Sequence, residues 1–245
     1  MVTDSKNENT EEKKDNNPNL LQDKINKNQT LFFNQVLKNR NFFSDNGLKG
    51  FSENEQQLPL LTWPFLDFVK TLDLMSNKLI ELGSGNSTIF FSEVFEKVES
   101  FETNKEWYEE LSKKTKDNVF LNLTSLEEIE NKLSKKYKFN NRDWLLVDFA
   151  GKRTRFINRL IAHPDKDLPA QLIFDNSEWY KNARNLLDKR GYTEIPFWGF
   201  KSGDNYISCT SLFLLKNKWN LIHPKHQAQP KYSTKVSGNL WDDID

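Results

Sequence analysis

Short apolar runs alternate with amphipathic stretches through the middle of the chain. We predict five strands from these runs: Lys78–Leu82, Val98–Glu102, Val119–Leu123, Trp144–Asp148 and Gln171–Asp175. Between them, apolar residues recur at helical spacing, which predicts these helices: Thr88–Phe95, Thr103–Lys114, Leu126–Tyr137, Arg153–Ala162 and Ser177–Lys189. Because the strands are apolar throughout, the pattern predicts a doubly wound α/β fold, a parallel sheet with helices on both faces.

The pattern changes after Gly191. Residues Tyr192–Trp198 and Ser211–Leu215 both look like strands, and the residues between them are not helical. Two successive strands without a helix between them pair antiparallel. The sequence therefore predicts a mostly parallel sheet that ends in an antiparallel hairpin.

The flanking segments differ in composition from this domain, which we place at residues 77–222. Residues 1–28 are almost entirely polar and are predicted to be a disordered tail. Residues 29–76 are predicted to form a helical segment or lid, with one helix from Leu31 and one over Pro64–Leu74. Residues 223–245 show no periodicity and are predicted to be an irregular tail.

Two helix starts carry local signals. Thr103 followed by Glu106 matches a capping box, and Ser177 is a suitable cap for the last predicted helix. We expect both residues to cap these helices.

Composition narrows the classes of function. The 245 residues include 35 basic and 35 acidic side chains, so the basic excess typical of nucleic-acid binding is missing. A single cysteine excludes an internal disulfide framework, and no apolar run reaches the roughly 18 residues of a membrane helix. We expect a soluble, cytoplasmic protein without a membrane partner; its oligomeric state is not predicted.

Candidate ligand-binding residues lie where the predicted strands end. In an open parallel sheet, ligands bind beyond the carboxyl ends of the strands. Gly83 and Gly85 follow the first strand and open a helix, and Glu102 ends the second strand. This spacing is typical of nucleotide binding, with the acid about 20 residues on to hold ribose hydroxyls. Thr88 stands where a dinucleotide-binding loop has its third glycine, which weighs against NAD.

Together, these segments resemble the class I S-adenosylmethionine-dependent methyltransferases. The resemblance rests on Ile80–Thr88, Ser100–Thr103, Val147–Asp148 and Phe174–Asn176, together with the terminal hairpin, and covers roughly Trp63–Lys216. It implies a Rossmann-like, seven-stranded sheet whose last strand is antiparallel. It also implies an enzyme that uses S-adenosyl-L-methionine (SAM) as cofactor.

The resemblance also implies roles for individual residues. Glu81 and the loop after it would hold the methionine part of SAM, through Gly83, Ser84, Gly85, Asn86 and Ser87. Glu102 would bind the ribose hydroxyls, Ser125 would flank the adenine, and Asp148 would lie below the cofactor, facing the substrate. The run Thr124-Ser125-Leu126 departs from the acidic-apolar pair common at the adenine position.

The sequence gives fewer signals for the residues that would bind the methyl acceptor. Arg153, Asp175 and Asn176 are candidate substrate ligands, although Arg153 also suits a solvated helix start. Asp148, Asp175 and Asn176 resemble the Mg²⁺-binding set of catechol-type and caffeoyl-type O-methyltransferases. The alternative for Asp175-Asn176 is a turn and helix cap without a metal.

The function we predict is methyl transfer from SAM to a small-molecule acceptor, with O-methylation favoured and Asp148 as the catalytic base. The alternatives are an NAD-linked oxidoreductase and a non-catalytic Rossmann-like binding module. For Glu102→Ala we expect SAM binding to weaken by roughly ten- to a hundredfold with little loss of stability.

Overall fold

The computed structural model describes residues 26–31, 58–135, 137–202, 204, 206–216 and 218. Most of the two predicted tails and most of the helix predicted from Leu31 lie outside the described residues. Residues 26–31 form a short helix with exposed side chains. In the described part of the chain, no helix has both the length and the apolar character needed to cross a membrane.

A seven-stranded sheet forms the centre of the α/β domain. Its elements in chain order are α1 (Trp63–Thr71), β1 (Lys78–Leu82), α2 (Asn86–Ser92), β2 (Lys97–Glu102), α3 (Lys105–Ser112), β3 (Val119–Leu123), α4 (Leu126–Lys135), β4 (Asp143–Val147), α5 (Arg153–Leu160), β5 (Gln171–Asp175), α6 (Lys181–Lys189), β6 (Tyr192–Gly199) and β7 (Ser208–Leu215). Short 3₁₀ turns lie at Asp165–Asp167 and Ser177–Trp179.

The strand order is β3-β2-β1-β4-β5-β7-β6. β1 to β5 pair in parallel, and β7 lies antiparallel between β5 and β6. The predicted Rossmann-like, doubly wound fold with a terminal antiparallel hairpin is therefore confirmed. The hairpin folds so that its second strand, β7, contacts the parallel part of the sheet.

Two apolar cores cover the two faces of the sheet. Because side chains alternate along a strand, Leu79 faces α1 and α2 whereas Ile80 faces α4, α5 and α6. The core around Leu79 combines aliphatic side chains with aromatic rings, among them Phe91, Phe95 and Trp144, which pack edge to face. Burial on both faces explains why the central strands are apolar throughout.

Both predicted helix caps are wrong. The cap of α3 lies one residue later than predicted, because the Asn104 side chain accepts a hydrogen bond from the Trp107 N–H, 2.9 Å away. Thr103 is exposed and lies before the cap. Ser177 begins a 3₁₀ turn, and its buried hydroxyl bonds the Ser211 hydroxyl at 2.7 Å.

Candidate functional site

The strand order changes direction between β1 and β4. β1 continues outward to β2 and β3, whereas β4 starts the other half of the sheet on its opposite side. A doubly wound sheet opens a crevice at this point, beyond the carboxyl ends of the strands. The loop after β1, Glu102 at the end of β2, Asp148 after β4 and Asp175 at the end of β5 all lie along this edge.

Gly83 is required by the backbone itself. Its φ of +91° lies in the left-handed region, which favours glycine. A Cβ at this position would lie 2.3 Å from the Asp148 carbonyl oxygen. The close approach of the loops after β1 and β4 therefore depends on this glycine.

Gly85 has no such requirement. Its φ of 178° is extended backbone that any residue adopts. Beyond its chain neighbours, the described atom nearest to an added Cβ is the Ser87 hydroxyl oxygen, at 3.9 Å. A side chain here would project into open space above the loop, which is where a bound ligand would lie.

Glu81 lies beneath this loop and is fully buried. Its Oε2 accepts hydrogen bonds from the hydroxyls of Thr88, at 2.6 Å, and Ser100, at 2.7 Å. The Thr88 hydroxyl in turn accepts from the Gly85 N–H at 2.9 Å. Thr88 thus has a positive role, linking the loop to Glu81, that the comparison with a third glycine did not predict.

Two buried oxygen atoms at the loop have no partner in hydrogen-bond geometry among the residues that the structure describes. They are Oε1 of Glu81 and Oδ1 of Asn86. Buried hydrogen-bond acceptors normally have a donor. Two acceptors without donors at one loop therefore favour a ligand that supplies donor groups. Burial raises the pKa of Glu81 to about 7, although the hydroxyls around the carboxyl lower it.

Ser84 is fixed from two other directions. Its hydroxyl lies 2.6 Å from that of Ser100, and its carbonyl oxygen accepts a hydrogen bond from the indole N–H of Trp107 at 2.8 Å. Ser100 and Trp107 were not predicted as site residues. Trp107 lies one turn into α3, and the spacing of motifs along the chain carries no signal for this contact.

Glu102 binds backbone rather than side chains. Its Oε1 accepts from the N–H groups of Thr103 and Asn104, both at 2.7 Å, and its Oε2 accepts from the Ser84 N–H at 3.1 Å. We expected little loss of stability in Glu102→Ala, on the premise that Glu102 has no partners in the empty site. That premise is wrong, because the substitution would leave three backbone donors without their acceptor. Glu102 connects the loop after β1 to the start of α3.

Ser125 lies after β3 and caps α4. Its hydroxyl accepts from the Glu128 N–H at 3.2 Å, and the Glu128 carboxylate accepts from the Ser125 N–H at 3.0 Å. The Glu128 carboxylate also accepts a hydrogen bond from the Thr124 hydroxyl at 2.6 Å. This bond, and those from Ser125, lower the pKa of Glu128. A contact between Ser125 and adenine stays a prediction.

Asp148 and Arg153 form an ion pair at the centre of the edge. The Arg153 Nη2 lies 2.9 Å from Asp148 Oδ1, and the same guanidinium donates to the carbonyl oxygens of Phe149 and Asp175. Arg153 is thus buried and bonded to its own chain, in contrast to the solvated alternative. Burial and Asp175 raise the pKa of Asp148 to about 8, against the opposing effect of Arg153 and Lys201.

Asp175 is bonded to a lysine that sequence reasoning missed. The buried Lys201 Nζ lies 2.5 Å from Asp175 Oδ2, and the Thr210 hydroxyl donates to Oδ1 at 2.7 Å. In the orientation of the Asn176 amide that matches the surrounding donors and acceptors, its nitrogen donates to Asp175 and its oxygen accepts from Lys201 and Ser208. Burial raises the pKa of Asp175, which Lys201 opposes.

These residues do not fit a magnesium ion. The Lys201 ammonium occupies the cation position beside Asp175 and Asn176, and Arg153 occupies that beside Asp148. Within the described ranges, no three His, Cys, Asp or Glu side chains are grouped to hold a metal. The resemblance to a magnesium-binding set is therefore one of residue type, without the geometry.

Neither a protein-family model nor a curated protein matches this sequence. Similar solved structures include precorrin-6y C5,15-methyltransferase from Geobacter metallireducens, at 14% identity and a TM-score of 0.49, over 70% of this chain and 96% of that one. An rRNA methylase from Streptococcus thermophilus is 14% identical, with a TM-score of 0.43, over 64% and 100%. A dimethyladenosine transferase from Plasmodium falciparum is 16% identical, with a TM-score of 0.44, over 65% and 64%. Because one fold supports many activities, the function has to be inferred from the site.

Proposed function

We propose that this chain is a SAM-dependent methyltransferase. The observation that carries the proposal is the loop after β1, where Gly85 leaves open space and Glu81 and Asn86 each keep a buried acceptor without a partner. A ligand with an amino group supplies the missing donors. The resemblance of Ile80–Thr88 to the methyltransferase loop identifies SAM as that ligand.

The residues around the loop have separate roles. Glu102 accepts hydrogen bonds from the ribose hydroxyls with oxygen lone pairs that its backbone bonds leave free. Ser84 holds the loop in place through Ser100 and Trp107, and Asn86 offers its unpaired Oδ1 to the ligand. When bound, SAM supplies a methyl group already activated on a sulfonium. The main task left to the protein is to hold the acceptor in line with that methyl group.

Asp148 is our candidate for the catalytic base. Its side chain is 22% exposed at the centre of the edge, so it faces the crevice while Arg153 fixes its orientation. A carboxylate with a raised pKa accepts a proton from a hydroxyl more readily than an ordinary one. This favours an acceptor hydroxyl, whose proton would be taken by the ionised form of Asp148 that Arg153 stabilises.

We further propose that the acceptor is a small molecule. The acidic side chains Glu81, Glu102, Asp148 and Asp175 line the inner part of this edge together with the basic Arg153 and Lys201. The exposed Lys152 and Arg155 lie just outside it, and these inner residues together carry no excess of positive charge to attract the phosphate backbone of a nucleic acid. Nucleic-acid methylation is therefore the less favoured alternative.

Exposed apolar side chains surround the acceptor half of this edge. Those at least 40% exposed and at the ends of β5, β6 and β7 are Trp179, Trp198, Phe200, Tyr206 and Ile207. Exposed apolar groups gathered in one region often mark a binding surface. They favour an acceptor with an apolar or aromatic body.

Calorimetric titration tests the cofactor assignment. We expect wild-type protein to bind S-adenosylhomocysteine (SAH) and Glu102→Gln to bind it roughly ten- to a hundredfold more weakly, because charge-assisted bonds to the ribose are lost. Melting temperature is recorded for each protein, since the backbone bonds of Glu102 also change. The matched control is Glu106→Gln, which removes a nearby exposed charge and leaves affinity unchanged. Binding of NADH in place of SAH would favour the oxidoreductase, and binding of neither would contradict the proposal.

A further inference from the structure

Glu81 is a buried carboxyl group without a cationic partner. The ion pairs in the described part of the chain do not include it. The hydroxyls of Thr88 and Ser100 both donate to its Oε2, and the Ser87 hydroxyl also stabilises the carboxylate. Oε1 is buried and has no partner. This oxygen is the place where a proton can reside without displacing an existing bond.

The charged groups that face Glu81 are also acidic. Glu102 approaches from β2 and Asp148 from the loop after β4, and each interacts unfavourably with a charge on Glu81. From α2 and its preceding loop, the neighbours are hydroxyl and backbone groups. An ionised Glu81 would therefore be a buried, repelled charge, which is expensive in a folded protein. Consistent with this geometry, burial raises the pKa of Glu81 to about 7.

We propose that Glu81 carries a proton in the empty protein and loses it when the ammonium group of a ligand settles on the Gly83–Ser87 loop. The inference rests on the proposed function, because SAM and SAH both bring an ammonium group to this loop. The O–H bond of the Glu81 carboxyl breaks, the proton passes to the buffer, and the ligand's positive charge compensates the carboxylate. Cofactor binding is thus linked to the release of one proton.

The linkage fixes the sign of the pH dependence. Below the pKa of the empty protein Glu81 must be deprotonated for tight binding, so affinity rises with pH, by up to about tenfold per pH unit. Above that pKa the proton is already absent, and the Glu81 contribution to the dependence levels off. Asp148 is the other candidate source of a proton, because burial and Asp175 raise its pKa as well.

Calorimetry in two buffers of different ionisation enthalpy measures the released proton directly. SAH is titrated into wild type, Glu81→Gln and Asp148→Asn at several pH values on both sides of the Glu81 pKa. We expect release approaching one proton at the lower values for wild type and Asp148→Asn, and none for Glu81→Gln. Release that persists in Glu81→Gln, or that vanishes in Asp148→Asn, would overturn the inference.

Infrared difference spectroscopy tests the same step in the wild-type protein, whatever the stability of the variants. We expect addition of SAH below the Glu81 pKa to remove the carbonyl band of a protonated carboxylic acid. SAH binding with that band unchanged and no proton released overturns this inference alone. Failure of SAH to bind overturns the proposed function itself.

Discussion

Two glycines in one loop have different reasons to be glycine. Gly83 has a left-handed φ, and the Asp148 carbonyl oxygen leaves no room for a Cβ. Gly85 is extended and has open space around it. The fold explains the first residue. The second caps α2 without backbone strain, and we propose that a bound ligand is the reason for the open space beside it.

Substitution separates these two roles. We expect Gly83→Ala to lose at least about 1–3 kcal/mol of folding stability, because it combines a strained φ with a backbone clash. We expect Gly85→Val to lose only about 1 kcal/mol of stability, because Val is a poorer helix cap than Gly, and to lose most of its affinity for SAH, because the branched side chain fills the ligand space. Thermal melting and calorimetry on both variants provide the measurements. Undiminished SAH affinity in Gly85→Val would contradict the assignment of this space.

Strands and helices differed in how well local pattern located them. Three strands, β1, β3 and β5, have the bounds predicted from their apolar runs. Helix ends were less certain, because a cap depends on one hydrogen bond and several polar residues near it compete. At α3, Thr103, Asn104 and Glu106 were all available, and the backbone conformation selected Asn104.

The start of α3 gives a prediction at the scale of the element. We expect Asn104→Ala to lower stability by about 1 kcal/mol, because the Trp107 N–H loses its acceptor. Thr103→Ala, one residue earlier and exposed, is the control and leaves stability nearly unchanged. Chemical denaturation measures both; equal losses would mean that the capping box predicted from sequence also contributes.

At the scale of the molecule, one buried ion pair joins the loop after β6 to the centre of the sheet. Lys201 lies in that loop, and its partner Asp175 ends β5. β7 lies between these strands and contributes the Thr210 hydroxyl to the same carboxylate. The pair thus ties the apolar acceptor side of the crevice to the strand next to Asp148.

Breaking this pair is expected to cost more than removing it. Lys201→Met leaves the Asp175 charge buried without its cation, a loss of about 3–5 kcal/mol. In Lys201→Met combined with Asp175→Asn, we expect much of that stability to return, because no uncompensated charge remains. Lys152→Met, at an exposed position, is the control for loss of a lysine. If the double variant is no more stable than Lys201→Met, the ion pair is not the cause.

The sequence by itself determined the strands, the covered faces of the sheet and the edge where Gly83, Glu102, Asp148 and Asp175 gather. These features follow from local periodicity and from the rule that ligands bind beyond the ends of parallel strands. Only the tertiary structure brought Lys201 to Asp175, 26 residues earlier, or left Oε1 of Glu81 unpaired. Such contacts depend on the placement of β7 between β5 and β6, and on burial by distant segments. Spacing along the chain does not predict these interactions, because they form only when strands distant in sequence pair in the sheet.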